Sequence, residues 1–167
     1  MKMRILSVVA VVGLLAACSS EEPKKQEAVA AATPPMAAPM QPKMMDSIVP
    51  GSQADFVKNV GDRVFFDFDK SVVKPEGKDQ LTKWVAFLKK YPNDQLMIEG
   101  HCDERGTREY NLALGERRAN AVKEFLLANG VQATRLKTVS YGKERPAVLG
   151  SNEAAWAQNR RGVGVIQ

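Results

Sequence analysis

An apolar stripe at helical spacing within residues 75–91 constrains the fold of this chain most. In the segment "PEGKDQLTKWVAFLKKY", Leu81, Trp84, Val85 and Leu88 occupy positions i, i+3, i+4 and i+7, which places them on one face of an α-helix. A proline in the first turn and two lysines near the end suit the two ends of a helix. Because such a helix must pack its apolar face against another element, we expect a layered domain.

A second long helix is predicted for "NLALGERRANAVKEFLLANG", residues 111–130. Gly130 is the expected C-cap, since glycine is favoured where a helix ends in a left-handed conformation. A shorter helix is predicted for "SNEAAWAQ", with Ser151 or Asn152 as its N-cap. The stripe of the long helix that should face the core consists of Leu112, Gly115, Ala119, Val122 and Leu126.

Four short segments between and beside these helices have the composition of β-strands. They are "RVFFDFD", "QLMIEG", "TRLKTVSYG" and the closing "RRGVGVIQ". The order of elements is therefore β-α-β-α-β-(α)-β. This order predicts an α/β fold, a two-layer sandwich of helices on a small mixed β-sheet.

The N-terminus has the pattern of an exported bacterial lipoprotein. "MKMR" is a positive n-region, and "ILSVVAVVGLLAA" is an apolar stretch that is too short for a membrane-spanning helix. The stretch ends in "LAAC" and so resembles a lipobox, which implies cleavage after residue 17 and lipid on Cys18. The resemblance to lipoprotein sorting signals extends to Ser19, which favours the outer membrane, with the folded part in the periplasm.

Residues 18–58 form the lipidated N-terminus and a tether in this interpretation. The segment is rich in proline and alanine and shows no sustained hydrophobic period, which is typical of a disordered linker. We therefore divide the chain into a signal peptide (1–17), the tether (18–58) and a folded domain (59–167). The net charge is +5, to which Lys2 and Arg4 contribute two, and the remaining positive residues are dispersed, which argues against nucleic acid as a partner.

The stretch "EGHCDERGT", residues 99–107, holds the densest group of reactive side chains. A metal site is not expected, because His101 and Cys102 are adjacent on an extended segment and point to opposite faces. The same geometry separates Cys102 from a histidine base, so we expect no cysteine catalysis. Asp67, Asp69 and Asp103 leave a glycosidase spacing open, but nothing indicates a large substrate cleft. The chain is therefore predicted to be no enzyme and to need no cofactor.

A binding site fits this stretch better. Asn111, Leu114 and Arg118 share one face at the start of the second long helix. The loop "DERGT" leads into that helix, so Asp103 and Arg118 can converge. An acid and a guanidinium suit a zwitterion, the acid taking an ammonium group and the guanidinium taking a carboxylate in two parallel hydrogen bonds. A purely structural Asp103–Arg118 ion pair remains an equal alternative.

Four separated blocks carry a resemblance to a known family. "FDFD", "EGHCDERGTREYNLALGERRANAV", "YGKERP" and "NRRGVGV" resemble the OmpA-like peptidoglycan-binding domain family over about 100 residues, essentially the whole folded part. The resemblance implies non-covalent binding of the meso-diaminopimelate in the peptidoglycan stem peptide. Cys102 stands where the family more usually has threonine or alanine, and Gly162 interrupts the usual "NRRV" pattern, which affects the register of the last strand.

The resemblance also implies a role for each residue of the site. Asp103 pairs with the ammonium group and Arg118 with the carboxylate of diaminopimelate, while Asn111 holds the loop from behind. The remaining peptidoglycan contacts implied are Phe68, Asp69, Gly106, Thr107 and Leu114.

Together with the lipobox, the resemblance implies partners as well as a ligand. Lipidated members of the family anchor the outer membrane to peptidoglycan, and they bind TolB and the Tol complex, which acts in cell division. Three alternatives stay open: an OmpA-like lipoprotein of a secretion or motor assembly, a cell-wall hydrolase, and a redox-active dimer through Cys102.

Overall fold

The computed structural model describes residues 48–167. The predicted signal peptide, Cys18 and most of the tether lie outside the described residues. Within residues 48–167, none of the helices combines the length and the apolar character that crossing a membrane requires.

A four-stranded mixed sheet forms one layer of the domain. Its strands are β1 (Arg63–Phe65), β2 (Leu96–His101), β3 (Leu136–Gly142) and β4 (Arg161–Ile166). In space the order is β1-β4-β2-β3, with β2 and β3 parallel and the other two pairs antiparallel. This confirms the predicted α/β class with a mixed sheet, although β1 is shorter than its sequence pattern indicates.

Helices α2 (Pro75–Lys90) and α3 (Arg108–Ala128) form the second layer, on one face of the sheet. The predicted stripe of α2 is buried, and Trp84 at its centre is fully inaccessible to solvent. Helix α3 lies directly against β2 at a pair of glycines. A Cβ atom on Gly100 would lie 1.8 Å from the carbonyl oxygen of Gly115, so only glycine permits this approach.

The buried face of α3 is rotated relative to the prediction. Leu112 is half exposed, whereas Asn111, Leu114 and Arg118 are buried together with the other predicted stripe residues. The prediction that Leu112 faces the core is wrong, because α3 instead directs Asn111 and Arg118 toward the site at the end of β2. Helix α3 ends at Ala128 with Asn129 as its C-cap, one residue before the predicted Gly130. Gly130 takes the left-handed conformation that was the reason for the prediction, with φ +89°, and the amide of Val131 donates to the carbonyl of Leu126.

The packed part of the chain begins earlier than residue 59. A short helix, α1 (Gln53–Asp55), continues as one wide π-helical turn (Phe56–Val60). Phe56 is fully buried, with its ring 5.3 Å from that of Trp84 between centroids. Residues 53–58 therefore belong to the domain, because one aromatic side chain anchors them to the core, and the boundary of the tether lies before them.

The remaining predicted elements are present. Helix α4 (Glu153–Asn159) is capped by Asn152, whose side chain accepts from the amide of Ala155 at 2.9 Å. Gly162 causes no bulge in β4, which pairs in continuous register with both of its neighbours. The one register irregularity of the sheet lies between Gly100 and His101, where β2 leads into the candidate site.

Candidate functional site

A cleft of about 160 Å³ opens at the end of β2, beside the first turns of α3 and the loop that follows β1. Six of the seven predicted contact residues line it, as does Asn111; Thr107 instead caps α3, with its hydroxyl accepting from the amide of Tyr110 at 3.2 Å. The full lining is Phe68, Asp69, Cys102, Asp103, Arg105, Gly106, Tyr110, Asn111, Leu114 and Arg118.

Asp103 lies at the base of this cleft and is almost completely buried. Its Oδ2 accepts from Arg105 Nη2 at 2.6 Å and from Arg160 Nη1 at 3.3 Å, and its Oδ1 accepts from the Arg105 amide at 3.2 Å. Burial raises the pKa of Asp103, but the hydrogen bonds from the side chain and the amide of Arg105 outweigh it and hold the pKa below its usual value. The carboxylate is therefore charged at neutral pH and already paired.

Arg118 is fully buried, and its guanidinium is bound to backbone carbonyls. Nε donates to Lys70 O at 2.8 Å, Nη1 to His101 O at 2.8 Å and Nη2 to Asp67 O at 3.0 Å. These bonds fasten the loop after β1 to the end of β2. They correct the expectation that Arg118 presents a free pair of N–H groups, and they also exclude the alternative of a direct ion pair with Asp103 in this arrangement.

Arg105 is the main residue of the cleft that the sequence analysis did not assign. Its guanidinium carbon lies 3.9 Å from the ring centroid of Phe68 and 4.0 Å from that of Trp156, so it is stacked between two aromatic rings. Trp156, on α4, donates from its indole N–H to Glu104 at 3.0 Å. The spacing of Arg105 two residues after Asp103 was the available signal, but only the fold brings the rings to it.

The loop that carries Asp103 and Arg105 is held from below by Asn111. Its side-chain amide donates to Arg105 O at 2.8 Å and to Thr107 O at 3.0 Å, which is the supporting role that the resemblance implied. Gly106 has φ +93°, a conformation that favours glycine, and its carbonyl accepts from Lys143 Nζ at 2.8 Å. The loop is thus fixed on both sides.

Phe68 and Asp69 form the opposite rim of the cleft. Asp69 adopts the left-handed conformation, with φ +56°, and its carboxylate accepts a hydrogen bond from the Tyr110 hydroxyl. Phe68 is 55% exposed, so one aromatic face is open to a ligand. Leu114 is buried and supplies apolar wall between the rim and the base.

His101 and Cys102 point to opposite sides of the sheet, as the sequence indicated. The Cys102 thiol lines the cleft, donates to Asn111 O at 3.3 Å and is almost wholly buried, and burial raises its pKa. His101 lies on the other side, with its Nε2 3.3 Å from Glu99 Oε2 and its ring centroid 5.5 Å from that of Tyr141. Among the described residues, no three His, Cys, Asp or Glu side chains are grouped to hold a metal ion.

Comparison with known proteins identifies relatives of the folded domain. The OmpA family model matches residues 65–160. The peptidoglycan-associated lipoprotein of Agrobacterium fabrum is 52% identical over 120 residues, which cover 72% of this chain and 68% of the relative. That of Haemophilus influenzae is 52% identical over 100 residues, which cover 60% of this chain and 65% of the relative.

Solved structures agree. The crystal structure of the peptidoglycan-associated lipoprotein from Burkholderia pseudomallei superposes with a TM-score of 0.62 at 46% identity, covering 64% of this chain and 90% of that one. The C-terminal domain of Helicobacter pylori MotB superposes with a TM-score of 0.60 at 18% identity, covering 64% of this chain and 84% of that one. At that identity the second likeness concerns the fold alone.

Proposed function

The chain belongs to the OmpA family, and on this premise we propose that it is an outer-membrane lipoprotein that binds peptidoglycan non-covalently through the cleft around Asp103. The proposed ligand is the meso-diaminopimelate of the stem peptide. The far end of that residue carries an ammonium group and a carboxylate on one carbon.

The observation that carries this proposal is the charge of the cleft lining. Two acids, Asp69 and Asp103, face two arginines, Arg105 and Arg118, so the lining is neutral overall. A ligand end with one positive and one negative group leaves that balance unchanged, whereas a simple anion or cation would leave one charge uncompensated in a largely buried site. Asp103 is the proposed partner of the ammonium group, and the guanidinium charges are the proposed partners of the carboxylate.

The wall of the cleft suits the rest of such a ligand. Leu114 supplies apolar surface for the aliphatic chain, and the exposed ring of Phe68 covers it from the rim. Gly106 brings backbone close to the ligand at the side of the loop. Binding without hydrolysis is proposed, since Asp103 is ionised and paired with two guanidinium groups, which makes it unsuited to act as a general acid.

We further propose that Cys18 carries the lipid that holds the chain in the outer membrane, with the segment that follows it reaching from the membrane to the wall. The relatives named peptidoglycan-associated lipoproteins support this assignment. In the proposed role the chain belongs to the Tol–Pal system, binds TolB and the Tol complex, and links the outer membrane to the wall during cell division.

A pull-down with purified sacculi tests the proposed ligand. Asp103→Asn keeps the shape of the side chain and removes its charge, and it should abolish co-sedimentation. Asp79→Asn makes the same chemical change on an exposed position of α2 and should bind like the wild type. Added diaminopimelate-containing peptide should release the wild-type protein. Co-sedimentation of Asp103→Asn at the wild-type level would exclude this cleft as the site.

A further inference from the structure

We propose that a groove between α2 and the N-terminal helical segment, residues 53–60, binds residues 43–47 of the same chain, which lead from the tether into the domain. The groove has a volume of about 450 Å³ and shares no lining residue with the cleft around Asp103. Its lining consists of Asp55, Asn59, Val60, Lys83, Ala86, Phe87, Lys90 and Tyr91. Docking there fixes the end of the tether on the surface of α2.

The course of the chain into the domain directs the segment toward this groove. The amide of Ser52 donates to the carbonyl of Val49 at 3.1 Å and closes a β-turn. Pro50 and Gly51 lie between them, and Gly51 has φ +83°, which is the combination that favours a type II turn. Because a β-turn reverses the chain, the residues before it run back alongside residues 53–60, which form one side of the groove.

The groove begins where this turn is held. The amide of Gly51 donates to Asp55 Oδ2 at 2.8 Å, and the Tyr91 hydroxyl donates to the same oxygen at 3.4 Å. Ile48, on the far side of the turn, is half-buried, so the chain still lies against the domain there. From Tyr91 to Lys83 the groove follows about two turns of α2, or about 12 Å, which five extended residues are long enough to span.

The surface of the groove suits the composition of the segment, Lys-Met-Met-Asp-Ser. Val60, Ala86 and Phe87 give the groove an apolar floor. Successive side chains of an extended segment point to opposite faces, so one of the adjacent Met44 and Met45 faces this floor. Methionine suits such a site, because its unbranched side chain adapts to irregular apolar gaps.

The charges at the two ends of the groove match those of the segment. Lys90 lies at the end near the turn and takes part in no ion pair with a described carboxylate. Asp46 is close to the turn in sequence and reaches this end. Lys43 reaches the other end, beside the exposed Asp79 one turn before Lys83. Exposed ion pairs contribute little free energy, so these charges set the direction of the segment, and burial of a methionine holds it.

Oxidation of methionine to its sulfoxide by dilute hydrogen peroxide tests the proposal. The protein is residues 18–167 with Cys18→Ser, so that neither lipid nor detergent is present. Trypsin cleaves after Lys43, so the methionines of the segment and those nearer the N-terminus are recovered on different peptides for mass spectrometry. Each rate is divided by the rate of the same methionine in urea, which removes the influence of its neighbours in sequence.

Met36 and Met40 are internal controls, since they lie in the same tether but outside the segment. Either Met44 or Met45 should be oxidised about tenfold more slowly than these controls, which is the factor for a segment that is docked nine-tenths of the time.

Substitutions on both partners locate the protected methionine. Ala86→Glu puts a carboxylate on the floor, within reach of Lys83 and Lys90 on the same helix face, and should raise the rate to that of the controls. Ala113→Glu makes the same change on an exposed position of α3 and should leave the protection intact. Asp46→Lys lies before the folded domain, so it should weaken the protection even if Ala86→Glu folds poorly, and Lys90→Glu in the same chain should restore it.

Three results would overturn the proposal. Equal rates for all four methionines would mean that the segment does not dock, and protection that survives in Ala86→Glu would mean that it docks elsewhere. Protection that disappears on about tenfold dilution would assign the groove to a second copy of the chain, since binding within one chain does not depend on protein concentration.

Discussion

Mild acid should destabilise the domain through one side chain, His101. The imidazole is 2% exposed, and burial, followed by the charges of Arg161 and Arg145, lowers its pKa from 6.5 to about 4. The carboxylate of Glu99, 3.3 Å from Nε2, opposes this shift, but burial and the guanidinium charges outweigh it. The folded chain therefore keeps His101 neutral well below the pH at which the unfolded chain protonates it.

The sign and the size of the effect follow from this difference. Stability from His101 is fully present above pH 6.5 and is lost as the pH falls from 6.5 toward 4, because the unfolded state takes up a proton that the folded state excludes. With these two pKa values the free energy of unfolding falls by about 2 kcal/mol between pH 7 and pH 5. No other histidine contributes, since the chain has only one.

Urea unfolding of the wild type and of His101→Gln at pH 7, 6 and 5 measures this contribution. Carboxylates titrate in both proteins, so the pH-dependent difference between the two belongs to His101, whatever the substitution itself costs. The wild type should lose about 2 kcal/mol more than the variant over this range. Parallel loss in both proteins, or an NMR titration of the single histidine with a pKa near 6.5, would refute the reasoning.

Three further substitutions test the packing of the domain by urea unfolding. Arg135→Met should cost about 2 kcal/mol, since its guanidinium donates to three carbonyls at the end of α2 at 2.8 to 3.0 Å; Lys137→Met, on an exposed position nearby, should be neutral. Gly100→Ala should cost more than about 4 kcal/mol, because its Cβ would collide with Gly115, and a stable, soluble variant would contradict this packing. Phe56→Ala should lower the free energy of unfolding by about 3 to 5 kcal/mol. An unchanged free energy of unfolding would mean that residues 53–58 belong to the tether, as the sequence predicted.

The periodic parts of the sequence predicted the layers of the fold well. Trp84 and its neighbours on α2 recur at helical spacing over about two turns, and burial follows directly from that spacing. Phe56 was missed because a single aromatic residue after a proline-rich stretch has no period. Leu112 was misplaced because apolar character alone defined the stripe of α3, while the fold buries Asn111 and Arg118 there with their hydrogen bonds satisfied.

The position of the cleft was also predictable from the sequence, but the acceptors to which each of its arginines donates were not. Spacing along α3 and the loop brought Asp103 and Arg118 to one place, and both line the cleft. Which arginine faces Asp103 depends on atoms from distant parts of the chain. Arg160 follows α4, and Trp156, which stacks on Arg105, is also contributed by α4. A pattern in one segment holds no information about these contacts.

The three arginines at this site therefore carry out two different tasks with the same chemical group. Arg118 and Arg160 donate to backbone carbonyls of the loop after β1, at Asp67 and Phe66, so their charges help to fix the walls of the cleft. Arg105 bonds to the Asp103 carboxylate and stacks between two rings, and it holds no wall in place. The kind of acceptor distinguishes these tasks, since backbone carbonyls tie Arg118 and Arg160 to the loop after β1, whereas the side chain of Arg105 has only the Asp103 carboxylate as a hydrogen-bond acceptor among residues 48–167.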